Sequence, residues 1–165
     1  MTDLPDGPAQ LRLAELGMRL DGVAADIADL RPDAADGVRA ALRVLHDHLR
    51  RVHETCADVD DRTWTAYTTG LDRGLAELAA EVVGEPGDAD PAVEDVVYAH
   101  AGRLEIDGWA LRLDVAGRDA PPEGRELIAG AARELDEYHL AVTAGTAPSR
   151  TGVERALSEL RGAVG

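Results

Sequence analysis

Histidine is the residue type in this chain best suited to chemistry at neutral pH. Neutral imidazole serves as a general base and as a ligand for transition metals, and the chain carries His46, His48, His53, His100 and His139. Three of them fall on three different predicted helices, where a bundle can bring them together. We therefore predict a candidate mononuclear metal site formed by His53, His100, Asp136 and His139. The competing interpretation, which we favour from the sequence alone, places these histidines at solvent edges.

Other catalytic constellations are absent from the sequence. Without any lysine the chain cannot form a Gly-x-x-x-x-Gly-Lys phosphate loop, and it contains no Gly-x-Ser-x-Gly motif. A carboxylate-bridged di-metal bundle needs two Glu-x-x-His motifs, and only Asp136-x-x-His139 resembles one. The single cysteine excludes a Cys-x-x-Cys site. We predict no catalytic residue, expect no cofactor, and leave enzymatic activity undecided.

The few aromatic residues are candidates for lining a ligand pocket. We single out Trp64, Tyr67, Tyr98 and Trp109, whose hydroxyl and indole N–H groups would orient a small molecule. The alternative, which we favour, is that the aromatic rings fill the core and direct their polar ends to its edge.

The charge balance argues against several classes of partner. Asp and Glu number 32 against 17 basic residues, which gives a formal net charge of −15. Such a field repels nucleic acids and anionic membranes, so we expect neither as a partner. All basic residues are arginine, and Lys, Asn and Phe are missing. This pattern indicates a high-GC bacterial genome, so arginine is not evidence of a chosen phosphate site. A halophilic protein would show the same acidic excess.

Six stretches of the chain space apolar residues three and four apart, which is typical of amphipathic helices. We predict an all-α antiparallel bundle of about six helices in a single domain, residues 1–165. The first helix begins at Pro8, breaks fall at 31–33, after 57, at 84–87 and at 119–122, and Thr151 with Glu154 forms a capping box that opens the last helix. Seven leucines on the stripes are predicted to be buried: Leu16, Leu20, Leu45, Leu49, Leu71, Leu78 and Leu135.

Residues 103–115 allow two conformations. Asp107-Gly108 suits the type I′ turn of a β-hairpin. Read as a helix, the segment carries apolar residues on two opposite faces, which describes a central helix covered on both sides. Because an isolated hairpin is marginal in water, we favour the helix.

Two functions stay open. We favour a non-catalytic acidic bundle that mediates protein–protein interaction, with a protein partner or self-association. His46 and His53, on one edge of the second helix, would tighten such a contact on mild acidification. The alternative is a small-ligand or metal-binding bundle, possibly an enzyme, and one cavity that holds three of the histidines would favour it. The acidic N-terminus, without an apolar h-region, leads us to expect a cytoplasmic protein.

Overall fold

The computed structural model describes residues 8–30, 32, 35–55, 59–83, 93–146 and 149–164. Within these ranges there are six α-helices and no strand. They are α1 (Pro8–Leu30), α2 (Ala35–Thr55), α3 (Asp61–Val83), α4 (Val93–Ala116), α5 (Gly124–Thr143) and α6 (Thr151–Val164). The all-α bundle is confirmed. The predicted break at 84–87 and most of that at 31–33 lie outside the described residues.

The first four helices form a closed ring of packing partners. α1 packs against α2 and α3, and both of these pack against α4. α5 and α6 cover the other side of α4 and pack against each other. α4 is therefore the central helix, with neighbours on both of its apolar faces.

The apolar stripes predicted from the residue spacing face the core of the bundle. The seven predicted leucines are each at most 3% exposed. Residues 103–115 are helical, and both predicted faces of α4 are buried as far as Leu113, with Leu104 and Trp109 at 1% and 2% exposure, whereas Val115 in the last turn is 41% exposed. The hairpin alternative is wrong, because α4 packs on both sides along its length and needs no turn at Gly108. No helix among the described residues is long and apolar enough to cross a membrane.

Cross-helix contacts fix the register of α4. Glu81 contacts His100 while Gly74 faces Leu104, so α3 runs antiparallel to α4. His139 contacts His100 while Gly124 faces Leu113, so α5 is antiparallel to α4 as well. The C-terminal turns of α3 and α5 therefore meet the first turns of α4.

The helix starts follow local capping chemistry. Asp60 caps α3, since its Oδ1 accepts the backbone N–H of Thr63 at 2.7 Å. The capping box predicted at Thr151 is wrong, because α6 already includes Thr151 as a helical residue. Arg150 O accepts the backbone N–H of Glu154 at 2.8 Å, and the Glu154 side chain accepts the hydroxyl of Tyr98 instead.

Candidate metal centre

Three metal-ligating side chains meet where α3, α4 and α5 come together. Glu81 lies in the last turn of α3, His100 in the second turn of α4, and His139 in the last turns of α5. Each occupies the edge of an apolar stripe, beside the buried residues Val82, Ala99 and Tyr138. Packing of the three stripes therefore brings the three polar edges to one seam.

The ligand atoms of this triad are close together. His139 Nε2 lies 2.9 Å from Glu81 Oε1 and 3.1 Å from Oε2, and His100 Nε2 contacts Oε2 of the same carboxylate. The two imidazole rings are 5.0 Å apart between centroids, at 71° to each other. One ligand atom from each residue lies within 4.8 Å of the other two.

The triad is largely shielded from solvent. The side chains of His100, Glu81 and His139 are 10%, 25% and 35% exposed. Burial alone would raise the pKa of the Glu81 carboxyl, but the hydrogen bonds with His100 and His139 outweigh it, and its pKa is lowered. The carboxylate is therefore held in the ionised form that a metal ligand needs.

The spacing suits a first-row metal ion. Ligand atoms at ~2.1 Å from a tetrahedral ion lie ~3.4 Å from each other. The two His139–Glu81 distances are slightly shorter than this edge and the His100–Glu81 contact is shorter still, so these ligand atoms would have to separate to admit an ion. Small side-chain rotations, with loss of the Nε2 protons, would convert the hydrogen-bonded cluster into a ligand set. Two imidazoles and one carboxylate can hold an ion and leave a coordination position open.

A cavity of about 410 Å³ adjoins the triad. His100 and His139 form part of its wall, and Arg73, Arg103 and Asp107 line it further along the seam between α3 and α4. Burial raises the pKa of the Asp107 carboxyl, and nearby Arg103 partly opposes this. A metal ion held by the triad would therefore have space beside His100 and His139.

The structure brings together two of the four residues predicted as metal ligands. His100 and His139 converge. His53 lies elsewhere, 3% exposed on α2, with its ring 4.9 Å from that of Trp64 and 5.3 Å from that of Tyr67. Asp136 is exposed and forms an ion pair with Arg103. Neither side chain belongs to the triad, because His53 is enclosed by aromatic rings and Asp136 faces outward from α5.

The aromatic residues singled out as ligand-binding candidates do not share one pocket. Trp64 and Tyr67 pack around His53, with 5.6 Å between their own centroids. Trp109 is buried, and its indole N–H donates to Glu105 Oε2 at 3.0 Å. Tyr98 lines a second cavity, of about 470 Å³, between α2, α4 and α6.

That second cavity is built around a satisfied buried charge. Glu105 is 3% exposed, and both of its oxygens accept from Arg161, at 2.6 Å each. Arg150 lies over the Tyr98 ring at 4.2 Å and donates to Asp95 at 2.9 Å. His48 also lines this cavity, and its burial lowers its pKa despite the nearby Glu105. These groups hold α4 and α6 together.

Glu81 is the member of the triad that the sequence reasoning missed. The sequence feature that could have identified it is its position three residues after Leu78, beside the apolar stripe of α3. A polar side chain at this position lies at the boundary with a neighbouring helix. No family model, no curated protein and no solved structure matches this chain. The inference of function therefore rests on the geometry of the site.

Proposed function

We propose that this protein binds a divalent transition-metal ion through Glu81, His100 and His139. The observation that supports this function is the convergence of three ligand atoms from three helices within 4.8 Å. Dispersed histidines would have favoured a plain interaction scaffold. His46, His48 and His53 are dispersed, but His100 and His139 share one carboxylate.

The donor set indicates the class of metal. Two imidazole nitrogens and one carboxylate oxygen suit Zn²⁺, Fe²⁺ and neighbouring first-row ions, whereas Mg²⁺ and Ca²⁺ prefer oxygen ligands alone. Three protein ligands are fewer than such an ion needs. An exchangeable water or a ligand from the adjoining cavity would complete the coordination, which is the arrangement of metal sites that polarise a bound group.

Metal analysis and calorimetry test the proposal. We expect protein purified without chelators to contain close to one equivalent of a first-row metal, and the chelated protein to bind one equivalent of Zn²⁺. Replacing a ligand, as in Glu81→Gln, His100→Ala or His139→Ala, should weaken Zn²⁺ binding at least tenfold. His46→Ala is the matched control, since His46 packs near Gly17 on α1, away from the triad.

One result would contradict the metal-binding proposal. If the double variant His100→Ala/His139→Ala binds Zn²⁺ as tightly as the unaltered protein, the triad is only a hydrogen-bonded ion cluster that joins three helices. Circular dichroism of each variant checks that the bundle remains folded.

Interaction with a protein partner is the second candidate. It is favoured by exposed large apolar side chains, among them Met18 at 74% and Leu140 at 70%. The prediction that His53 takes part in a partner contact that tightens on acidification needs correction. This side chain is buried against α3 and cannot contact a partner at the edge of α2. Sedimentation equilibrium tests self-association, and a monomer at all concentrations would argue against this form of the interaction.

A further inference from the structure

The second cavity is a groove along α4, on the face of that helix turned away from the metal triad. Among the described residues its two walls, α2 and α6, both pack against α4 but do not pack closely against each other. On α4 the lining residues Glu94, Tyr98, Ala101 and Glu105 are spaced by four, three and four, which places them on one helix face. Lining residues of α2, and of the chain from Arg150 into α6, repeat that spacing. The groove therefore follows the axis of α4.

Cross-helix contacts show that α2 and α4 run parallel. A Cβ on Gly37 would lie 3.6 Å from Glu94 Cγ, near the start of both helices. Toward their ends, a Cβ on Gly108 would lie 2.9 Å from Leu49 Cδ2. Residues of α2 and α4 that are equally far from these contacts therefore lie level with each other along the groove.

α6 has the same direction, because Tyr98 pairs with Glu154 and Glu105 pairs with Arg161 further along both helices. The equal spacings therefore arrange the lining residues in four layers, from Glu94 in the first to Glu105 in the fourth. These layers cover about 16 Å at 1.5 Å per residue. A volume of about 470 Å³ over this length describes a narrow, elongated space.

The third layer is apolar on all three sides. It consists of Val44 on α2, Ala101 on α4 and Leu157 on α6. Val44 is 56% exposed, although it is an apolar residue on the wall of a cavity. Ala101 carries only a methyl group, so the layer leaves space that an apolar chain can fill. Covering Val44 with such a chain would remove apolar surface from water, which favours binding.

The fourth layer combines a neutral imidazole with a charge that is already paired. Glu105 is 3% exposed, and both of its oxygens accept from Arg161 at 2.6 Å. Burial lowers the pKa of His48 below its ordinary 6.5, and Glu105 only partly opposes this, so the imidazole is neutral at pH 7. His48 lines the groove and forms no hydrogen bond with another described residue. A hydroxyl group can donate to this ring or accept from it.

The first two layers carry charges that are either paired or exposed. Arg150 donates to Asp95 at 2.9 Å, and Glu154 accepts the hydroxyl of Tyr98 at 2.9 Å. Glu94 and Glu154 are both exposed, so water screens their attraction for a cation. Neither end of the groove therefore selects an ionic head group.

We propose that the groove binds one aliphatic chain with an uncharged hydroxyl head group, the chemistry of a medium-chain primary alcohol. The hydroxyl would form a hydrogen bond with His48 in the fourth layer. The chain would lie over Ala101 and against Val44, and would reach toward Tyr98. This site is separate from the metal triad, so the proposal does not rest on metal binding.

Isothermal titration calorimetry with three eight-carbon ligands tests the choice of head group. We expect 1-octanol to bind saturably at one site. Octanoate and octylammonium should bind at least about tenfold more weakly, because an ionic head loses hydration in the fourth layer. His48→Ala should weaken 1-octanol about fivefold, which is the size of one uncharged hydrogen bond. His46→Ala is the matched control, since His46 packs near Gly17 on α1, away from the groove.

Two substitutions test where the chain lies. Ala101→Leu would fill the third layer and should abolish binding of 1-octanol. Ala132→Leu, at a half-buried position of α5 outside the groove, should leave that binding unchanged. Val44→Asp would place a charge in the third layer at an exposed position, and should weaken 1-octanol at least about tenfold. Circular dichroism shows whether each variant is folded.

Three results would overturn the groove proposal. The first is that 1-octanol does not bind, or is taken up without saturation. The second is that octanoate or octylammonium binds as tightly as 1-octanol. For octylammonium, a loss of that affinity in Glu94→Gln/Glu154→Gln would place the head group at the exposed carboxylates. The third is that folded Ala101→Leu and Val44→Asp both bind 1-octanol as the unaltered protein does.

Discussion

Substitution of Gly108 by alanine tests how closely α4 approaches α2. From the sequence, helical Gly108 predicts that alanine stabilises the protein or is neutral. The structure changes that expectation. A Cβ on Gly108 would lie 2.9 Å from Leu49 Cδ2, 3.5 Å from Tyr67 Oη and 3.7 Å from Val52 Cγ1. Leu49 and Val52 are both 0% exposed, so the surrounding core must take up any shift of these side chains.

The expected magnitude follows from two opposing effects. Alanine in a helix interior gains up to ~1 kcal/mol over glycine. Overpacking a filled core by one methyl group costs ~1–3 kcal/mol. We expect Gly108→Ala to lower the free energy of unfolding by up to roughly 2 kcal/mol. Gly130→Ala on α5 is the control, since its Cβ would meet nothing within 4 Å, and it should raise the free energy of unfolding.

Urea unfolding followed by circular dichroism measures both variants. A third variant shows whether the loss of stability comes from packing against Leu49. This is needed because alanine would also destabilise a glycine that is required by a turn. In a Leu49→Ala background the obstructing methyl groups are gone, so Gly108→Ala should become neutral or stabilising. If it remains as destabilising there as in the unaltered protein, or if Gly108→Ala alone stabilises as Gly130→Ala does, the α2–α4 packing described above is wrong.

Three further predictions concern the core, a buried charge and a helix cap. Leu45→Ala should cost ~2–5 kcal/mol in urea unfolding, and a loss below about 1 kcal/mol would contradict its close packing. Glu105→Ala should cost ~3 kcal/mol by leaving Arg161 unpaired and the buried indole N–H of Trp109 without an acceptor. Glu105→Leu with Arg161→Met should recover only part of that loss in the same assay, because Trp109 still lacks its acceptor. Asp60 has a pKa below its ordinary 3.8 because it accepts the N–H of Thr63. Its stabilising effect is therefore present above about pH 4 and is lost as pH falls through the lowered pKa. In pH-dependent thermal melts Asp60→Ala should be less stable than the unaltered protein at pH 7, and the difference should shrink below pH 4.

The helices were predictable because periodicity reports which side of a helix is buried. The two apolar faces of α4 even indicated its central place. The pairing of helices was not predictable, since a stripe does not specify its partner. α3 follows α2 in the chain, yet each packs mainly against α1 and α4. The capping box at Thr151 was predicted wrongly because the sequence motif is compatible with more than one first residue of α6. In the structure the helix includes Thr151 itself.

Only part of the triad was visible in the sequence. Histidine is scarce here, so His100 and His139 could be selected by type alone. Glu81 is one of 32 acidic residues, and nothing in its neighbourhood separates it from a solvated carboxylate until α4 and α5 are packed beside it. His53 was a reasonable metal-ligand candidate by residue type. Its contact with Trp64 depends on how the last turn of α2 lies against the first turn of α3, which the sequence does not specify.

Phenylalanine is absent from the chain, and the seams of α4 are built from leucine and glycine. Leucines from neighbouring helices pack over glycines, at Gly102 and Gly108 on α4 itself and at Gly74 and Gly124 on its partners. In each case a Cβ on the glycine would lie within 2.9 Å of a leucine methyl group. Helix axes can approach closely where one residue lacks a side chain. Two of these contacts, Gly74 with Leu104 and Gly102 with Leu135, lie about one turn from His100 and His139. Close packing at these two contacts lets α3 and α5 approach α4 near His100, and Glu81 and His139 lie beside His100 on those two helices.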